Sequence, residues 1–217
     1  MAGRVVYSDV PHRPDAARWL HPLLLASNAA LAGACRYIAP RTKVVFREPF
    51  LVKEESDRPI VYVTWHRLNY VCMPMLLALP PEARPTIIAH DGVASRAFSH
   101  QSVAWMGMEA FAFRRRSKVP AREQIAEYIR TTGRPILNLP DSGGPYGKVK
   151  PGTLEVARAS GARIVPFVVE TDRSFSVGKT LEHVIPLPHA RVDVRRGPAL
   201  DGTASVADLQ AALDALG

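Results

Sequence analysis

Residues 59–80 read PIVYVTWHRLNYVCMPMLLALP, and the fold turns on them. The opening PIVYVTW, residues 59–65, is β-branched and aromatic with no charge, the composition of a buried strand. It runs with almost no connector into LNYVCMPMLLALP, residues 68–80, a mostly apolar helix interrupted by Pro74. A buried strand delivered straight into a helix is half of a parallel β-α-β unit.

The same alternation continues downstream. RPTIIAH (84–90) predicts a second strand and residues 93–106 a helix; MEAFAFR (108–114) predicts a third strand. The amphipathic stretch PAREQIAEYIRTTG (120–133) predicts a helix opened by Pro120 and stopped by Gly133. RPILNLP (134–140) is a fourth strand, a helix runs from Pro151 to near Gly161, and RIVPFVVE (163–170) is a fifth strand. ARVDVRR (190–196) is a later strand, and SVADLQAALDAL (205–216) closes the chain as a helix with Leu209, Leu213 and Leu216 on one face. Upstream, the first 15 residues read as a loose arm and residues 16–38 as an apolar helix, with Pro22 tolerable only near its first turn. The expected architecture is therefore α/β: a single-domain, largely parallel sheet covered on both faces over residues 44–217, preceded by an arm and helix over residues 1–43.

Composition bounds the function without choosing it. At 217 residues the chain fits one large domain, and 47% hydrophobic with 22% charged residues is ordinary for a globular protein. The net charge of +8 is not ordinary and predicts attraction to polyanions: nucleic acid, an anionic membrane surface or phosphorylated substrates. No basic helix or aromatic platform accompanies that charge, which argues against nucleic acid. Cys35 and Cys72 make no disulfide framework, so a reducing compartment is expected, and no Cys/His spacing suggests a metal. LAGAC (31–35) looks like a lipoprotein processing site, a reading opposed by Asp9 and Asp15 in the segment before it. The apolar part of the first helix, Trp19 to Ala34, is short of the ~20 residues that span a bilayer. With Arg18 and Arg36 at its ends and Trp19 and Tyr37 near the headgroups, it suits the membrane interface; packing on the protein's own core is the plain alternative.

In parallel sheets ligands bind beyond the carboxyl ends of the strands, and chemistry-bearing residues gather there. The first strand ends in His66, the second in Asp91 and Gly92, and the third in Arg114, Arg115, Arg116 and Lys118. The fourth ends in LPDSGGPYGKVKPG (139–152), with Asp141 at its mouth followed by Ser142, Gly143, Gly144, Gly147, Lys148 and Lys150. Loops this long between a strand and a helix are uncommon unless they serve a function. Glycines let backbone amides approach a ligand closely, and the lysines favour an anionic one. A neutral imidazole can take a proton from a hydroxyl, a neighbouring carboxylate can fix its tautomer, and basic residues can hold a phosphate. Neither a G-x-S-x-G elbow, a nucleotide P-loop nor a dinucleotide fingerprint is present, which leaves direct attack of an activated hydroxyl on an acyl donor as the simplest scheme.

VYVTWHRLNY (61–70), IIAHDGVASRAF (87–98), FRRRSK (113–118), LPDSGGPYGKVKPGTLEVARASGARIVPFVV (139–169) and IPLP (185–188), in that order, resemble the lysophospholipid acyltransferase (LPLAT) superfamily. More narrowly they are similar to its bacterial branch known by the domain label DUF374. The resemblance covers roughly residues 44–200 and implies a mixed central sheet and transfer of a fatty acyl group from a thioester carrier to a hydroxyl. It implies no bound cofactor, an acyl donor on coenzyme A or acyl carrier protein, and a lipid or saccharolipid acceptor. It also implies a cytoplasmic enzyme, peripheral on the inner face of the cell membrane.

Under this resemblance His66 matches the catalytic base, Arg114–Arg116 the acceptor-phosphate motif, Asp141 the Pro-Glu-Gly position and Pro166 the late Val-Pro motif. The wider superfamily carries an Asp five positions after the histidine; here that position is Val71. Asp91, in the Asp-Gly pair of the DUF374 branch, is expected to orient His66 instead, with Asn69 as a weaker substitute. The branch reads Asp-Gly-Pro-x-Gly at the loop, so the register of Ser142 and Gly143 is open. Two other functions stay open: an anionic-lipid-binding protein on a decayed enzyme scaffold, and a hydrolase of acyl esters or thioesters.

Overall fold

The computed structural model describes residues 3–8, 21–50, 57–92, 102–177 and 182–217. Its elements are β1 (Val5–Tyr7), α1 (His21–Ile38), β2 (Lys43–Phe46), β3 (Ile60–Val63), α2 (Cys72–Ala78), β4 (Thr86–His90), α3 (Ser102–Trp105) and β5 (Ala110–Phe113). They continue with α4 (Ala121–Thr132), β6 (Ile136–Asn138), α5 (Pro151–Ser160), β7 (Arg163–Thr171), β8 (Ser174–Val177), β9 (His183–Pro186), β10 (Arg191–Arg196) and α6 (Val206–Asp214). Eight strands form one sheet in the order β1-β5-β4-β6-β3-β7-β10-β2; β8 and β9 form a separate antiparallel pair. Neighbours from β1 to β7 are parallel, β10 runs antiparallel to β7, and β2 runs parallel to β10. The sheet is largely parallel, as expected from the alternation of strands and helices, and mixed because β10 runs against β7.

Chain direction explains how the helices are placed. From β3 the path moves one way across the sheet to β4 and β5; from β5 it returns the other way to β6 and β7. Right-handed crossovers then put α2 and α3 on one face and α4 and α5 on the other. The packing agrees: α4 lies against α5, while α1 lies against α2 and α3. Residues 60–63 of β3 are all buried, as both-sided cover requires. The neighbours β4, β6 and β3 thus send their connections to alternate faces, which opens a crevice at their carboxyl ends.

Local chemistry fixes the helix limits. Pro74 is the third residue of α2 and Pro22 the second of α1, inside first turns where the missing N–H is not needed. Gly133 and Gly161 close α4 and α5 at φ of 60° and 70°, a conformation that favours glycine. Ser205 and Asp208 make a capping box at the start of α6, whose Leu209 and Leu213 are fully buried.

Four strands were not expected from the sequence. Residues 5–7, read as part of a loose arm, are an edge strand paired with β5, and β2 adds the opposite edge. The β8–β9 hairpin lies in a stretch given no strand. Of the helix expected over 93–106, the last turn is α3; residues 93–101, like Asp9, Asp15, Arg18 and Trp19, lie outside the described residues.

One buried polar network joins the β1 edge to the core. Glu109 is 7% exposed; it accepts from the Tyr128 hydroxyl and from Arg4 Nε at 2.5 Å, with Arg134 3.4 Å away. Burial pushes its pKa up, but the bonds from Tyr128 and Arg4 and the nearby arginine charges outweigh this and leave it lowered. Tyr128 stacks on Phe111 at 4.4 Å. Tyr128→Phe keeps that stacking and takes one donor from a buried carboxylate, so urea unfolding should show a loss of about 1–3 kcal/mol.

Candidate active site

The site is built at the crevice. Trp65 is extended (φ −69°, ψ 143°), and the chain then folds into a single 3-10 turn, His66–Leu68, which lifts His66 off the end of β3. Residues 139–147 arrive beside it from β6. Asp141, 1% exposed, joins the two: its Oδ1 accepts from the His66 backbone N–H at 2.9 Å and its Oδ2 from the Gly147 N–H at 3.0 Å. Asp141, expected at the mouth of the loop, therefore holds the histidine through its main chain, with both oxygens engaged by backbone amides as a clasp.

The glycine loop also differs from expectation. Gly143, Gly144 and Gly147 all have positive φ (79°, 64° and 71°), so they serve the turns themselves. The Ser142 N–H donates to Leu139 O, that of Gly144 to Asp141 O and that of Gly147 to Asp141 Oδ2. These amides are bonded within the loop and do not offer a cradle to an anion. Lys150 Nζ donates to Ser142 O at 2.6 Å, which folds its charge back along the loop, and Lys148 is exposed.

Asp91 takes a different partner from the one expected. Its Oδ2 accepts from Arg114 Nη1 at 3.3 Å and its Oδ1 from the Arg115 N–H at 3.2 Å. The carboxylate thus ties the end of β4 to the end of β5. His66 Nδ1 is buried with no hydrogen-bond partner among the described residues. The reason is topological: β6 lies between β3 and β4, so the two strand ends are not neighbours. Val71, where the superfamily pattern carries an Asp, is fully buried in the core. Arg115, Arg116 and Lys118 are exposed beyond β5 and do not line the crevice. Gln124 of α4 shapes that segment by accepting from the Arg114 N–H and donating to the carbonyls of Arg114 and Val119.

The crevice is a cleft of about 460 Å³. His66, Asn69, Ser142 and Lys150 line it as expected of site residues; His90, Asn138 and Thr153 join them without having been expected. Ile87, Ile88, Phe113, Ile125 and Val156 give it an apolar wall. Thr153 donates to Asn138 Oδ1 at 2.9 Å, closing the floor between β6 and α5. The apolar wall was hidden in the sequence because its residues come from two strands and two helices. A second cavity of about 400 Å³ lies across the loop, lined by Trp65, Arg67, Asp141, Tyr146, Gly147 and Glu182 among others.

Electrostatics keep the imidazoles neutral. Burial lowers the pKa of His66 below its ordinary value, His183 and Lys150 lower it further, and Asp141 opposes them. Burial lowers His90 and His183 as well. In each case the unfolded chain, near about 6.5, takes its proton before the folded one. Stability is therefore full above that value and falls as pH drops below it towards the folded pKa. Thermal unfolding followed from pH 8 to 5 should show a Tm that declines below about pH 6.5, with a shallower decline in His66→Gln.

Among the described residues no helix is long and apolar enough to cross a membrane, and no cluster of three or more His, Cys, Asp or Glu could hold a metal. Leu23 and Tyr37 of α1 and Trp105 of α3 are nonetheless exposed; Arg36 donates to Trp105 O and the Arg41 guanidinium lies 3.9 Å over the Tyr37 ring.

No family model matches the chain, and no curated protein matches it. Among solved structures, the chain is similar to the 1-acyl-sn-glycerophosphate (LPA) acyltransferase PlsC from Thermotoga maritima, at 16% identity over 88% of this chain and 78% of that chain, with a TM-score of 0.46.

Proposed function

We propose that the protein is an O-acyltransferase of the DUF374-like kind, moving a fatty acyl group from a thioester to a hydroxyl of a phosphorylated lipid or saccharolipid. The observation that carries the reading is a half-buried imidazole, its pKa lowered by burial, lining a cleft with an apolar wall. The hydroxyl proton passes to a His66 ring nitrogen as the oxygen attacks the thioester carbonyl carbon. The C–S bond breaks, and the leaving thiolate takes the proton from the imidazolium. The apolar wall suits the acyl chain, and Lys150 with Arg122 at the cleft suits an acceptor phosphate. The exposed Tyr37 and Trp105 beside Arg41 and Arg36, with Leu23 exposed at the other end of α1, suit an anionic membrane surface.

The test is incubation of the pure protein with radiolabelled palmitoyl-coenzyme A or palmitoyl-acyl carrier protein and a panel of lysophospholipid and saccharolipid acceptors. Label appearing in an acylated acceptor supports transfer. Label appearing only as free fatty acid means that water takes the acceptor's place and the protein is a hydrolase. One observation favours a binding-only scaffold: no carboxylate among the described residues bonds His66 Nδ1. That reading predicts no product from either donor, with vesicle binding that weakens as salt rises.

A further inference from the structure

The wider superfamily pattern assigns the orientation of the base to a carboxylate, and no described residue of this chain brings one to His66 Nδ1. Val71 is core and Asp91 holds Arg114. Something else faces the ring. His183, on β9 of the hairpin that packs against the His66–Leu68 turn, has its ring centre 5.5 Å from that of His66 with the planes at 77°. Its Nδ1, like that of His66, is buried with no hydrogen-bond partner among the described residues.

We propose that His183 is a positioning residue: its imidazole pairs with His66 and holds the base in the tautomer that leaves Nε2 free to accept a proton. This rests on the acyl-transfer reading of the site for its catalytic meaning, and on geometry alone for the pair itself. An N–H···N hydrogen bond of about 2.9 Å, with each nitrogen about 1.2 Å from its ring centre, puts two imidazole centres about 5.3 Å apart. The rings meet edge to face at 5.5 Å without that bond, a spacing within a few tenths of an ångström of the bonded one, and χ2 of histidine is a soft torsion about which the two nitrogens can be turned toward each other. One bond then satisfies two buried atoms that otherwise have none.

Aromatic rings flank both imidazoles. Tyr70 packs edge-on against His183 at 5.0 Å, and Tyr146 lies 5.8 Å from His66 on its loop side. The charged groups acting on His66 are Asp141, already bonded to two amides, and Lys150. With Nδ1–H donated to His183, the His66 Nε2 lone pair serves the cleft. A neutral partner fixes the tautomer as a carboxylate does, but it brings no negative charge to steady the imidazolium. This also accords with the lowered pKa of His66.

The decisive measurement is ¹⁵N NMR of the histidine side chains in the wild-type protein and in His183→Phe. The pair predicts His66 protonated at Nδ1 in the wild type and a shift towards the Nε2–H form in the variant. A wild-type His66 already protonated at Nε2 would overturn it, whether or not the variant folds. Where the protein transfers acyl groups, His183→Phe should lower kcat about tenfold or more with KM little changed. His183→Gln, which retains an acceptor, should recover part of the loss, and His183→Glu should move the acidic limb of the rate profile to higher pH. Phe and Gln variants equally impaired, or a Glu variant with an unmoved limb, would mean that His183 only fills space. A wild-type protein with no transferase activity refutes the function, while the tautomer measurement still decides the pair.

Discussion

His66→Ala should lower acyl transfer by about 10²–10⁴-fold, the span a lost general base removes, while leaving the fold intact. The side chain is half-buried, and its Nδ1 has no partner among the described residues besides the pairing with His183 proposed above, so truncation disturbs little of the packing. Its backbone N–H still reaches Asp141 Oδ1. Because burial, then His183 and Lys150, hold the imidazole below its ordinary pKa, the acidic limb of the wild-type rate should lie below about pH 6.5. Both are read from initial rates across pH, with near-ultraviolet circular dichroism as the check on folding. Turnover within twofold of wild type in His66→Ala sinks the assignment of the base.

Asp141→Ala should injure stability and activity together, which sets it apart from His66→Ala. One carboxylate, 1% exposed, accepts two backbone amides from segments 75 and 6 residues away in sequence. Removing it strands the His66 and Gly147 N–H groups. With hydrogen bonds to a charged group contributing about 1.5–3 kcal/mol each, the expected loss is about 3–6 kcal/mol in urea unfolding. Activity should fall about 10²-fold, since the turn that aims the imidazole is no longer tied to the loop. Asp141→Asn supplies one acceptor oxygen and sets an NH₂ against the second amide, so it should fall between wild type and Ala. An Asn variant with wild-type stability and no turnover would instead assign the carboxylate a direct part in proton transfer.

The strand ends show how far the sequence reading reaches. His66, Asn69, Ser142 and Lys150 come to one cleft because each follows a strand whose burial is written in its own composition. Asp91 and the arginines after β5 also sit at strand ends, yet they bond to one another, because β4 and β5 are neighbours while β6 separates β4 from β3. The short edge strands β1 and β2 left no comparable signal: each has three or four residues and only partial burial, and each is stabilised by pairing with a distant partner.

By itself, then, the chain determined the alternation of buried strands and amphipathic helices, their limits at Pro and Gly, and the gathering of polar groups at one rim. Those properties are local: periodicity, side-chain volume and backbone dihedrals act over a few residues. Tertiary structure alone decided which rim groups touch. The Asp141 clasp, the Asp91–Arg114 tie, the apolar wall and the meeting of His66 with His183 all depend on strand order and hairpin docking. Those are set by how whole faces pack, and no short stretch of residues encodes them.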